Sequence, residues 1–396
     1  MAALAVSAGH EVAERVICHR PRPDPKLYIG RGKAEEIGVL IARTESQVVL
    51  FDREISAVQQ RNLEREWKVR VLDRTELILD IFGQRARSTE GKLQVELARL
   101  QHQSSRLVRA WSHLERQRGG IGVRGGPGET QLEMDRRMLA AKIRQVRERL
   151  DRSERQRRTR RKSRHRRDAF RVSLVGYTNA GKSTLFNALT GADTFAADQL
   201  FATLDTLTRR LVLAPGIELA LSDTVGFVRD LPHQLVAAFR ATLEETAEAD
   251  LLLHVVDASA EDRAEQIEQV QRVLEEIGAD RVPQWLAWNK IDAVGLEPEV
   301  QLDGCGSIER LSVSARTGAG LDALRGALQA VILADALERT AHETNGCDGR
   351  KVDASVDDEH GDADPDPGRG TYPPTAQHLP NGTPDVDPHS NSVVAQ

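Results

Sequence analysis

The feature that most restricts this chain is the junction of RVSLV with GYTNAGKST, residues 171–184. Five mostly apolar residues read as a buried strand, and the G-x-x-x-x-G-K-S spacing that follows requires a tight glycine-bounded loop opening directly into a helix. Such a loop turns successive backbone N–H groups toward one point at a helix N-terminus, where the helix dipole favours an anion. Gly176, Tyr177, Thr178, Asn179, Ala180, Gly181, Lys182, Ser183 and Thr184 are therefore expected to line a phosphate site. Lys182 would reach the β- and γ-phosphates and the Ser183 hydroxyl would ligate Mg²⁺. Taken alone, this loop admits ATP or GTP.

Four downstream segments narrow the choice. IELALSD carries Asp223 to the end of an apolar strand, in DTVG (Asp223, Thr224, Val225, Gly226). A carboxylate there can hold Mg²⁺ through water, and the Gly226 amide can meet a γ-phosphate. Between the two motifs lies FATLD (Phe201, Ala202, Thr203, Leu204, Asp205), whose Thr203 is the candidate third magnesium ligand in the triphosphate state. NKID (Asn289, Lys290, Ile291, Asp292) decides the base. Asp292 can accept from the N1–H and N2 amino groups of guanine, whereas adenine offers neither donor. Lys290 would pack over the base and Asn289 would tie this loop to the phosphate loop. Ser314, Ala315 and Arg316, the SAR segment, fit a loop whose amides contact guanine O6.

Lys182, Thr203, Gly226 and Asn179 are the candidate catalytic groups. Many switch GTPases place a glutamine directly after D-x-x-G to orient water; here that position is Phe227, which cannot. Slow intrinsic hydrolysis and dependence on a partner follow. Asn179 has two readings: a K⁺ ligand beside the phosphates, or a hydrogen bond within its own loop.

The remaining sequence places this unit in a larger chain. At 396 residues there is material for more than one core, and the net charge of −5 conceals opposed halves. Residues 1–73 alternate helical and strand patterns, implying a small parallel α/β sheet. Residues 74–168 read as one long helix, Arg74 to Gln117, a glycine-dense tip and a second polar helix from about Thr130: an antiparallel hairpin. From Arg136 to Arg171 there are 17 Lys or Arg against 4 Asp or Glu, a surface attractive to RNA unless it is merely a solvated helix face or linker. Residues 169–337 alternate apolar strands with helices, the pattern of a doubly wound, mostly parallel sheet. Residues 338–396 are acidic, with too few apolar groups to offset ordering entropy, so a disordered tail is expected, either competing with RNA for the basic stretch or inert. Three scattered cysteines make no disulfide framework or metal site and fit a reducing compartment. No apolar run approaches a membrane span.

The series GYTNAGKS, FATLD, DTVGFVRDLP, NKID and SAR resembles the TRAFAC-type translational GTPases. Together with DPKLYIGRGKAEEI, VVLFDREISAVQQRNLER, VLDRTELILDIFGQRA and GGIGVRGGPGETQLEMDRR, it resembles the HflX family specifically, from about Pro23 to Leu337. The resemblance implies an α/β amino-terminal domain, a helical hairpin and a GTPase domain binding the 50S ribosomal subunit and its rRNA. It also implies splitting or rescue of stalled ribosomes under stress; the cysteines and the lack of a membrane span or signal-peptide pattern make the cytoplasm the expected compartment, with peripheral membrane attachment as an alternative, and a monomer is expected. A ribosome-assembly GTPase is the nearest rival; an RNA-binding or remodelling protein with a regulatory nucleotide domain is another. Some members have ATP-dependent activity in the amino-terminal half, where this chain has no second phosphate loop. Against the family pattern, the first domain is expected to want a leading strand.

Overall fold

The computed structural model describes residues 1–117, 127–164, 169–192, 200–229, 246–346 and 391–395. The amino-terminal part runs α1 (Ala2–Ser7), β1 (Glu11–Val16), α2 (Arg31–Thr44), β2 (Val48–Phe51), α3 (Ala57–Trp67), β3 (Arg70–Asp73) and α4 (Arg74–Arg85). The residues of β2 are all buried, as expected for a strand covered on both faces. Local chemistry sets where the helices start. At α3 the Gln59 amide donates to the Ser56 hydroxyl (3.2 Å) and the Ser56 amide to the Gln59 side chain (2.9 Å). Asp73 and Glu76 form the same reciprocal cap at α4.

The sheet order is β1-β11-β2-β3, all parallel, with β11 (Asn391–Ala395) between β1 and β2. These last residues thus form a strand where the sequence reading expected an unstructured tail, and they take an interior position in the sheet expected to want one. The physical reason is backbone pairing: facing edges of β1 and β2 present N–H and C=O groups that an inserted strand satisfies. The tail residues 347–390 and 396 lie outside the described residues.

The single long helix expected from Arg74 is two helices. α4 ends at Arg85, Ala86 adopts extended ψ (109°), and α5 (Thr89–Gln117) begins afresh. α4 is needed for the core, burying Leu77, Ile78, Leu79, Ile81 and Phe82, while the Ser88 hydroxyl accepts from the Gly91 amide (2.8 Å) and so starts a new helix. α5 packs against α6 (Pro127–Arg164) through Leu93 and Leu97 at the start of one and Val146 and Leu150 late in the other, an antiparallel pairing. The glycine-rich tip, 118–126, lies outside the described residues.

The second sheet is built from β4 (Phe170–Gly176), β5 (Leu207–Ala214), β6 (Ile217–Asp223), β7 (Leu251–Asp257), β8 (Gln284–Asn289), β9 (Val300–Leu302) and β10 (Ile308–Ser312). Its order is β5-β6-β4-β7-β8-β10-β9, with β5 and β9 antiparallel edges on a parallel centre. Helices α7 (Lys182–Thr190), α8 (Arg263–Glu276), α9 (Ile291–Val294) and α10 (Leu321–Gly346) complete the described part. The centre is apolar on both faces: Val172, Leu174, Leu252, Leu253, Val255 and Ala287 are buried. The carboxyl ends of β4, β6 and β8 carry GYTNAGKS, DTVG and NKID to one rim of the sheet, where open α/β sheets bind ligands.

Candidate nucleotide-binding site

The loop between β4 and α7 is held by close approach. Gly176 has φ 146°, and a β-carbon there would stand 2.2 Å from the Val255 carbonyl of β7; no other residue fits without moving the strand. Asn179 is exposed, with φ 62°. Lys182 is buried and donates to the carbonyls of Gly176 (3.0 Å) and Tyr177 (2.8 Å). Burial pushes its ammonium down to about 8, against the nearby Asp223 charge. The same cation, together with burial in β7, lowers His254 to about 4, burial being the larger cause.

Three oxygen groups converge beside that lysine. Ser183 Oγ lies 2.7 Å from Thr203 Oγ1 and donates to Asp223 Oδ2 at 2.7 Å, and Thr203 Oγ1 donates to the same oxygen at 2.9 Å. Asp223 is buried, and its Oδ1 has no hydrogen-bond partner. Burial raises its carboxyl above the usual range, partly offset by the two hydroxyls and Lys182. A buried carboxylate with one orphaned oxygen, flanked by two hydroxyls, fits a hard, oxygen-seeking cation such as Mg²⁺. Among the described residues no group of three or more His, Cys, Asp or Glu offers a rival metal cage.

The DTVG segment closes against the loop. Phe227 N donates to Gly176 O (3.1 Å) and Thr178 N to Phe227 O (2.7 Å), so the two segments pair like short strands. Gly226 is packed so tightly that a β-carbon would lie 2.7 Å from Thr178 Cγ2 and 3.0 Å from Lys182 Nζ. The Thr224 hydroxyl donates to Leu174 O (2.6 Å), and Val225 is buried. Phe227 itself is buried in the core.

The base-side residues form a second connected set. Asn289 donates from Nδ2 to Ala180 O (2.9 Å) and accepts at Oδ1 from Ala315 N (2.9 Å), joining the phosphate loop, NKID and SAR. Lys290 pairs with Asp257 at 2.7 Å. Asp292 accepts from the Ser314 hydroxyl (2.6 Å) and pairs with Arg316; the Ser314 bond first, then Arg316, hold its carboxyl below the usual range. Ile291 is buried beneath this loop.

FATLD is divided. Of its five residues, Thr203 is the one whose side chain reaches the Ser183 and Asp223 cluster. Phe201 and Leu204 are buried in the core shared with α4, Ala202 is half-buried, and the Asp205 carboxylate bonds to the start of α5. The side chains of Phe201, Leu204 and Asp205, expected beside the nucleotide, instead meet the core shared with α4 and the start of α5, in an irregular segment that Phe201 enters with φ 58°. Tyr177, expected on the phosphate loop, also has a contact that the motif did not foretell, its hydroxyl accepting from Arg229 N (2.9 Å); Arg74, which no motif marks, donates to Arg229 O (2.8 Å). Neither contact could be read locally, since each partner is more than 50 residues away.

Comparison with known proteins covers the same regions. Residues 1–83 match the family described as GTP-binding GTPase N-terminal, 85–164 GTP-binding GTPase Middle Region, and 171–290 50S ribosome-binding GTPase. The chain is 55% identical over 326 residues to GTPase HflX of Escherichia coli K12, covering 82% of this chain and 76% of that one. It is 46% identical over 336 residues to GTPase HflX of Magnetococcus marinus, covering 83% and 76%. A solved structure described as the SsGBP and GDP complex aligns with a TM-score of 0.49 at 24% identity, covering 84% of this chain and 94% of that one. With three consecutive family regions and more than half of its aligned residues identical to a curated relative, the chain belongs to the HflX family of GTPases, enzymes that hydrolyse GTP.

Proposed function

We propose that this GTPase works on the ribosome: in its GTP-bound form it binds the 50S subunit and rRNA, splits or rescues stalled or idle ribosomes under stress, and is released after hydrolysis. The observation that carries this reading is α6. Between Glu133 and Leu150 only Val146 and Leu150 are buried, so the basic residues of this stretch stand in solvent beside the α5 pairing seam. A solvated row of arginines binds phosphodiester backbone without reading its sequence, as attachment to a large RNA surface requires. The match of residues 171–290 to a family described as ribosome-binding supports the same partner. A cytoplasmic monomer is the form in which we expect it to act; no helix of the described residues is long and apolar enough to cross a membrane.

In this reading the phosphate loop, residues 176–184, cradles the phosphates with its amides and the Lys182 ammonium. Ser183, Thr203 and, through water, Asp223 hold Mg²⁺, which would neutralise charge building on the phosphate oxygens. Gly226 stands against Lys182, where its amide meets the γ-phosphate. Asp292 reads guanine, with Lys290 over the base and Ser314, Ala315 and Arg316 beside it. Asn179, exposed at the loop, would hold K⁺ as a further positive charge. Phe227 is committed to the core, so nothing at that position orients the attacking water, and hydrolysis awaits an outside contribution.

GTP turnover by the purified protein, with and without 50S subunits and in K⁺ or Na⁺ buffer, tests this directly. Stimulation by 50S of at least about tenfold is expected, greater in K⁺ than in Na⁺ and with the K⁺ advantage lost in Asn179→Ala. No stimulation by 50S would turn the reading toward assembly intermediates or free RNA; equal rates in both salts would remove the potassium site.

A further inference from the structure

Asp205 belongs to the segment that carries Thr203, yet its carboxylate is spent on the hairpin. Oδ2 accepts from the amides of Arg87 (2.9 Å) and Ser88 (2.8 Å), and Oδ1 accepts from the Ser88 hydroxyl (2.5 Å). That hydroxyl in turn accepts from the Gly91 amide (2.8 Å), capping the first turn of α5. The fit is close: a β-carbon at Gly91 would lie 2.2 Å from Asp205 Oδ1. At the other end of the segment Phe201, with φ 58°, stands edge-on to Phe82 of α4 at 4.7 Å between ring centres. Thr203, between these two anchors, bonds to Ser183 and Asp223.

We propose that Asp205 is a positioning residue that couples the nucleotide state to the base of the helical hairpin. Five residues leave little slack. When Thr203 is engaged at the γ-phosphate and metal side, Phe201 and Asp205 are held where they cap and buttress the joint between α4 and α5. When Thr203 is released, the carboxylate two residues on loses its place, and the α5 N-terminus loses three charge-assisted acceptor contacts. The same joint is the break in the helix at residues 86–88, the point about which α5 can tilt relative to α4. An anion at a helix N-terminus is also favoured by the dipole, so the contact biases one setting of that joint. Binding coupling is reciprocal: if GTP steadies the joint, the joint must favour GTP over GDP.

The coupling needs no ribosome and can be tested without one. It rests on the reading of Thr203 as the residue that follows the nucleotide. Affinities for GDP and for a non-hydrolysable GTP analogue with Mg²⁺ are measured in the full chain, with hydrogen exchange at the first turn of α5 as the structural readout. In the native protein the Arg87 and Ser88 amides should exchange more slowly with the analogue than with GDP. Gly91→Ala, which lies outside the nucleotide site and displaces the carboxylate, should weaken the analogue about tenfold while leaving GDP within about twofold, and should abolish the exchange difference. Asp205→Ala should do the same, so that folding defects of one variant are not mistaken for coupling. A merely structural contact would change both affinities equally or neither, and that result overturns the proposal. Thr203→Ala separates the two levels: if it leaves the affinity ratio unchanged, the reading of Thr203 fails. If it shifts the ratio while Gly91→Ala and Asp205→Ala do not, the coupling through Asp205 is what fails.

Discussion

Asp292 shows how much a single side chain decides at this site. It is held ionised by the Ser314 hydroxyl and Arg316, and as an acceptor it suits a base that presents two donors on one edge. In Asp292→Asn the amide can turn a donor toward the base, where guanine already has one. GTP affinity should fall roughly 100-fold or more, with recovery for xanthosine triphosphate, whose C2 carbonyl accepts. Competition binding of the two nucleotides checks this; undiminished GTP affinity would remove Asp292 from the base-reading role. The proposed role is carried by NKID, four residue types at fixed spacing. The contribution of Asp205 was not legible, because its partners, Arg87 and Ser88, lie 117 or more residues away and nothing local marks them.

Among elements, β11 is the one whose loss is most informative. β1 pairs with β11 and β11 pairs with β2, so deletion of residues 391–396 leaves two strands with unmatched backbone groups inside a four-stranded sheet. We expect the β2 amides to exchange faster and the amino-terminal transition to fall by about 2–4 °C or more, with nucleotide affinity of the second sheet retained. An unchanged transition in calorimetry would show that β11 adds nothing to this sheet. Most elements were readable from periodicity, as in the alternating helical and strand patterns of residues 1–73. The break between α4 and α5 was not, because Leu, Arg and Gln continue in helical style across it and the demand for Phe82 in the core is tertiary. Nor could β11 be read: a five-residue run becomes a strand only when a gap of matching register is available elsewhere.

At the scale of the whole molecule, the two halves should answer pH in opposite directions. Glu76, in the first turn of α4, is raised to about 7 by burial and then by the Asp73 charge, with Arg106 opposing. Its folded form binds the proton more tightly than the unfolded chain, so this contribution is full below about 4.5 and lost as pH rises through 7. His254, lowered to about 4, behaves in reverse: the folded second sheet favours the neutral ring, a contribution full above about 6.5 and lost as pH falls toward 4. Hydrogen exchange between pH 4.5 and 7 should therefore show α4 loosening and β7 tightening as pH rises, after correction for intrinsic exchange. Glu76→Gln should flatten the first trend, and parallel trends in both halves would contradict the assignment. By itself the sequence determined that a nucleotide is bound at the ends of parallel strands and that the base is guanine, because those functions use short motifs whose chemistry is local. It also determined the basic hairpin, since charge density along a helix is a property of composition. Only the tertiary structure decided where the segment around Thr203 sends its other side chains, where α4 parts from α5, and which strand fills the first sheet. Each of these depends on contacts between residues far apart in the chain, and the free energy that selects them arises only once the core brings them together.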